Sequence, residues 1–124
     1  MAHIWEQIGI DLFGDAPGDS FGFTGLSLSK DGSIMAVGAQ FNDDNGTDSG
    51  HVRIFENINN TWTQIGSDIV GQFAFDQCGV SVDLSDDGKI VAIGSWHHDA
   101  SPSLVPGYER QNYPNGQVRV YEYK

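Results

Sequence analysis

The feature that most constrains this chain is that it contains itself twice. Trp5-x-Gln7-Ile8-Gly9-x-Asp11-x-x-Gly14 returns as Trp62-x-Gln64-Ile65-Gly66-x-Asp68-x-x-Gly71 at an offset of 57, and the register runs on through Asp19/Asp76 and Gly22/Gly79. The offset falls to 56 for Leu28-Ser29-x-Asp31-Gly32 against Leu84-Ser85-x-Asp87-Gly88 and for Ile34-x-Ala36-x-Gly38 against Ile90-x-Ala92-x-Gly94. It then rises to 66, pairing Gly50-His51-Val52-Arg53-Ile54 with Gly116-Gln117-Val118-Arg119-Val120. Shifts confined to the joints of a constant frame are loop insertions between fixed elements, so the chain is built from two copies of one supersecondary unit.

Each unit reads as four short strands. Val80-x-Val82-x-Leu84 alternates as a half-buried strand does, and its counterpart runs from Phe23 to Ser29, with an extra residue near Thr24-Gly25 that predicts a β-bulge. Ser29-Lys30-Asp31-Gly32 and Ser85-Asp86-Asp87-Gly88 are hairpin turns, because Asp-Gly supplies the positive φ that a tight turn needs. Ile34–Ala39 and Ile90–Gly94 are apolar without alternation, the pattern of a strand covered on both faces. His51–Glu56 and Gln117–Tyr123 form the third strands, and Trp5–Leu12 and Trp62–Ile69 the fourth. No helical period is sustained.

Short four-stranded sheets that repeat at this interval and are covered on both faces are β-propeller blades. The expected fold is therefore all-β: residues 1–124 form one unit of two four-stranded antiparallel blades, out of register by one strand. Residues 5–12 give an outer strand, 23–69 a full blade and 80–123 three strands of the next. Two blades cannot close a ring. Ring closure by a homo-oligomer follows, with the first strand of one chain completing the last blade of its neighbour; three copies are favoured over four. The alternative is a fragment of a longer propeller with no independent activity.

Phe21-Gly22 followed by Val37-Gly38-Ala39 resembles the FG-GAP repeat of integrin-α-type propellers, and Cys78-Gly79 with Ile93-Gly94-Ser95 is a looser second copy. The resemblance implies a non-enzymatic propeller that binds ligands at the cell surface or outside the cell. It also implies an aspartate-rich calcium loop between the first two strands. Lys30-Asp31-Gly32 and Asp86-Asp87-Gly88 are too short to wrap a cation, so that site does not carry over.

Charge narrows the partners. Six Lys and Arg against 17 Asp and Glu give a net charge of −11, which argues against nucleic acid or an anionic membrane surface. No apolar run is long enough to insert into a membrane, and the N-terminus lacks the basic start and apolar core of a secretory signal. The single cysteine, Cys78, excludes an internal disulfide and reads as a small buried apolar residue. Sorted by the faces of a propeller, Asp15, Asp19, Asp43, Asp44, Asp48, Asp76, Asp99 and Glu109 share one face, with Asp11 and Asp68 at its border.

Two places on that face are candidate sites. Asn42-Asp43-Asp44-Asn45-Gly46-Thr47-Asp48 clusters oxygen ligands around a glycine turn, so Asp43, Asp44 and Asp48 are candidate Ca²⁺ ligands; the competing reading is an Asx-rich loop bonding its own backbone. The loop between Ser95 and Gly116 is ten residues longer than its counterpart and carries Trp96, His98, Tyr108, Glu109, Asn112 and Tyr113. Aromatic faces beside hydrogen-bonding groups suit a protein or carbohydrate ligand, while a loop that only packs on a neighbouring subunit is the alternative. A reading of a different class is a metal-assisted enzyme at the ring centre using His97, His98 and Asp99 from several chains. Asp11/Asp68 and Asp19/Asp76 recur in both copies, which favours a structural role, and Arg53 and Arg119 are expected to pair with carboxylates.

Overall fold

The computed structural model describes residues 3–97 and 116–124. Among them every regular element is a strand: β1 (Leu26–Leu28), β2 (Ile34–Ala39), β3 (His51–Ile58), β4 (Thr61–Gln64), β5 (Ile69–Val70), β6 (Cys78–Leu84), β7 (Ile90–Ser95) and β8 (Gln117–Glu122). They form two antiparallel sheets. The first has the order β1-β2-β3-β4, with β5 also on β3, and the second the order β6-β7-β8. No helix of the described residues is long and apolar enough to cross a membrane.

The turns form as their residues dictate. In the first hairpin the Asp31 carboxylate accepts bonds from Ser29 Oγ at 3.0 Å and from the Ser33 amide at 2.9 Å. In the second, Asp87 takes Ser85 Oγ at 2.8 Å and the Lys89 amide at 2.9 Å. Gly32 and Gly88 supply φ values of 76° and 73°.

The two sheets pack face to face through Ile34, Ala36 and Val52 from one and Cys78, Leu84, Val91 and Ile93 from the other. Hydrogen bonds join them as well: Leu84 N donates to the Ser27 side-chain Oγ at 3.1 Å, and backbone meets backbone where Lys30 N donates to Asp86 O at 2.9 Å and Cys78 N to Ser49 O at 2.9 Å. Glycine permits this approach. A Cβ on Gly38 would stand 2.9 Å from the Cα of Gly79, and Gly25 abuts the same residue.

Several local expectations need correction. β2 is covered on both faces, but β7 alternates, with Ile90 exposed, because no third sheet lies on its far side among the described residues. The register shift falls in the second copy, between Cys78 and Ser81, and not at Thr24-Gly25. In the first copy β1 begins only at Leu26; Gly25 directly precedes it, its carbonyl bonded by Gly38 N at 2.7 Å. The strand expected over 62–69 is broken at Gly66 (φ 72°) into β4 and β5, which both line the edge of β3.

Residues 5–12 join no sheet in this chain. The arm passes along the first sheet, where Trp62 Nε1 donates to Ile8 O at 3.0 Å. Trp5, Ile8, Ile10 and Phe13 are exposed.

Candidate functional site

The alternation of β3 puts His51, Arg53 and Phe55 on the face opposite Val52 and Ile54, so these three side chains meet the loop that precedes β1. Phe55 packs edge-on against Phe21 of that loop. Arg53 is the electrostatic centre. Its Nε and Nη2 hold Asp68 at 3.0 and 3.1 Å, while Nη1 and Nη2 grip Asp15 at 2.8 and 2.9 Å. Two forked ion pairs on one guanidinium are strong, directional contacts. Hydrogen bonds from Arg53 are the main reason that the Asp15 and Asp68 carboxyls are held below the ordinary aspartate value, and Gln64 adds to the effect at Asp68. The arginine is pushed upward in turn.

Beside this network lies His51, fully buried, with neither ring nitrogen hydrogen-bonded. Its Nδ1 stands 3.6 Å from Asp44 Oδ2 and 3.9 Å from Asp68 Oδ2. A buried polar group left without a partner costs about 1–3 kcal/mol. Asp15, Asp44 and His51 each bring a ligand atom to within 4.8 Å of the others.

Of the three carboxylates singled out for Ca²⁺, Asp44 joins this group and Asp43 and Asp48 do not. Asp43 Oδ1 accepts the Asp48 amide at 2.8 Å and so closes the loop on itself. Burial, and next the neighbouring Asp43, push the Asp48 carboxyl upward. Asn42 is buried and donates through Nδ2 to Asp19 at 2.9 Å, and Asp76 accepts the Phe73 amide at 3.0 Å. Asp19 therefore ties two loops together, and Asp76 braces its own loop. Trp96 is exposed, donates to Gln77 Oε1 at 2.8 Å and meets the His97 ring edge-on. His98, Asp99, Tyr108, Glu109, Asn112 and Tyr113 lie outside the described residues.

The sequence pointed to Asp44 but not to His51 or Asp15. The missed signal is a pair of breaks in the repeat. His51 is replaced by Gln117 in the second copy and Asp15 by Gln72, and there Gln117 Nε2 donates to Gln72 Oε1 at 3.1 Å.

Arg119, the counterpart of Arg53, has no carboxylate partner among the described residues. It donates to Tyr121 Oη at 2.8 Å and to Val70 O at 2.9 Å, while its buried Nε is unbonded. The carboxylate that the repeat assigns to it is Asp11, the counterpart of Asp68. Gln7 Nε2 donates to Asp11 Oδ1 at 2.7 Å, as Gln64 does to Asp68 at 2.6 Å, and Gly9 matches Gly66 with φ of 75° against 72°. The arm thus shares this bond and this glycine conformation with the β4–β5 edge.

Residues 14–55 match the family model of the FG-GAP repeat, a span that contains Phe21-Gly22 and Val37-Gly38-Ala39 but not the looser second copy. The chain carries an FG-GAP-like repeat. Neither curated proteins nor solved structures offer a significant match.

Proposed function

From the FG-GAP-like repeat and the two packed sheets, we propose that this chain is a two-blade unit of a non-catalytic β-propeller that binds ligands, closed into a homo-oligomer by strand exchange. The observation that carries the reading is the orphaned Nε of Arg119 set against the exposed Asp11 of the arm. The pairing of β3 with β4 and β5, carried over by the repeat, sets Gln7 of one copy opposite Tyr121 of the next, Trp5 opposite Tyr123 and Leu12 opposite Val118. Asp11 then reaches Arg119 as Asp68 reaches Arg53. Within its own chain the arm instead lies along the first sheet, where Trp62 Nε1 donates to Ile8 O and Arg53 holds Asp15.

The sheet faces support the same assembly. Val52 and Leu84 are buried between the two sheets, with Ile54 and Val82 packed against them. Their counterparts Val118, Val120, Leu26 and Leu28 are exposed on the two outer faces. One outer face therefore repeats one half of the internal interface and the other repeats its complement. A head-to-tail contact of this kind forms a ring if its rotation closes. Three copies, giving six blades, fall within the common range of about 4–8.

In this reading the acidic face and the loop that opens at Trp96 receive a protein or carbohydrate ligand, in the extracellular or cell-surface setting that the family resemblance suggests. Light scattering on a size-exclusion column tests the assembly: a mass of three chains is expected, and four would change only the blade count. A monomer at working concentration would overturn ring closure and favour a fragment of a longer propeller. A glycan and protein array with Trp96→Ala as control tests the ligand.

A further inference from the structure

We propose that Asp15, Asp44 and His51 form a binding site for one divalent transition-metal ion of the zinc class in each chain. Three observations converge on it. The His51 imidazole is fully buried, has no hydrogen bond at either nitrogen, and faces Asp44 and Asp68 through Nδ1. The three ligand atoms already stand close together, and the 3.6 Å between His51 Nδ1 and Asp44 Oδ2 is near the separation of about 3.3–3.4 Å that two ligands take on a tetrahedral ion with bonds of about 2.0–2.1 Å. Finally, Asp15, Asp44 and Asp68 carry three negative charges against the single positive charge of Arg53, an excess that one divalent ion neutralises.

The second copy supplies the control. There the fold places Gln117 and Gln72 at the positions of His51 and Asp15, and the two amides bond each other. The blade therefore does not need a histidine and a carboxylate at this place. The first copy puts a nitrogen ligand and an anion where a neutral pair suffices. One imidazole with two carboxylates selects a borderline ion such as Zn²⁺ over Ca²⁺ or Mg²⁺, which favour all-oxygen shells. Asp15 and Asp44 are partly exposed, so an ion reaches them from solvent, and a water or Asp68 completes the shell.

The test is calorimetric titration of the full chain with Zn²⁺, and in parallel with Ca²⁺ and Mg²⁺, together with the visible spectrum of added Co²⁺. One Zn²⁺ per chain is expected, with a tetrahedral Co²⁺ band and much weaker binding of Ca²⁺ and Mg²⁺. His51→Gln, which installs the residue of the second copy, should weaken Zn²⁺ binding by more than about tenfold, the scale on which even outer contacts of a metal site act. Asp44→Asn, at an exposed position, should do the same, and it decides alone if the histidine variant does not fold. No binding, Ca²⁺ binding as tight as Zn²⁺, or Zn²⁺ affinity unchanged in these variants would overturn the site. In that last case the ion sits on other surface groups, such as His3 or His97.

Discussion

The first sheet is finished and the second is not. Both are cut from the same repeat, yet β3 is edged by β4 and β5 while β8 is bare among the described residues. Arg53 has both forks filled, whereas Arg119 leaves its Nε empty. Val52 is buried and Val118 exposed. At these positions the residues are matched, so the difference lies in what each sheet has for a neighbour, and the state of the first sheet predicts what the second would become if a neighbour pairs with it as proposed.

Removing residues 1–13 breaks the comparison most severely. Such a chain should stay monomeric at every concentration while keeping the β-signature of its circular dichroism, and light scattering reads the result. The next contrast pairs equivalent leucines. Leu84→Ala should cost about 2–5 kcal/mol of folding stability in denaturant titration. Leu28→Ala should change the dissociated chain by no more than about 0.5 kcal/mol, because its side chain is exposed there. Its effect should appear on dilution of the oligomer.

Asp11→Asn sharpens the comparison at a single contact. It removes the charge that the proposed assembly sets against Arg119 and should weaken association by about 1.5–3 kcal/mol, the worth of a hydrogen bond to a charged group. Sedimentation over a dilution series measures it, and an unchanged dissociation constant would reject the strand register.

The smallest effect is one of pH. Asp15 and Asp68 are held below the ordinary value of 3.8 chiefly by Arg53, so the stability they contribute is present above that value and is lost as pH falls through their lowered values. Arg53→Met should therefore lower the melting temperature at neutral pH, and the gap to the wild type should narrow below about pH 3.8.

What was legible in the sequence was whatever one segment decides. The Asp31 and Asp87 turns are local, and the pairing order of the hairpins follows from them. The register shift was misplaced because a count of residues says that one copy is longer without saying which copy bends. The exposure of β7 was missed because an apolar run does not say how many faces of a strand are covered, and among the described residues β7 is buried on one face only. The His51 group escaped because its members come from three loops and strands and no spacing rule joins 15, 44 and 51.

The contact of Gly25 and Gly38 with Gly79 has a further consequence. Where backbone rests on backbone there is no side chain to yield, so the tilt of one sheet against the next is set by the main chain itself. In a closed ring that tilt, added blade after blade, must come to one full turn. At the next junction the repeat places Ser81 where the first copy has Gly25. The two kinds of junction therefore need not share one angle, and in the proposed ring the number of chains would follow from the sum of a glycine hinge and a serine hinge.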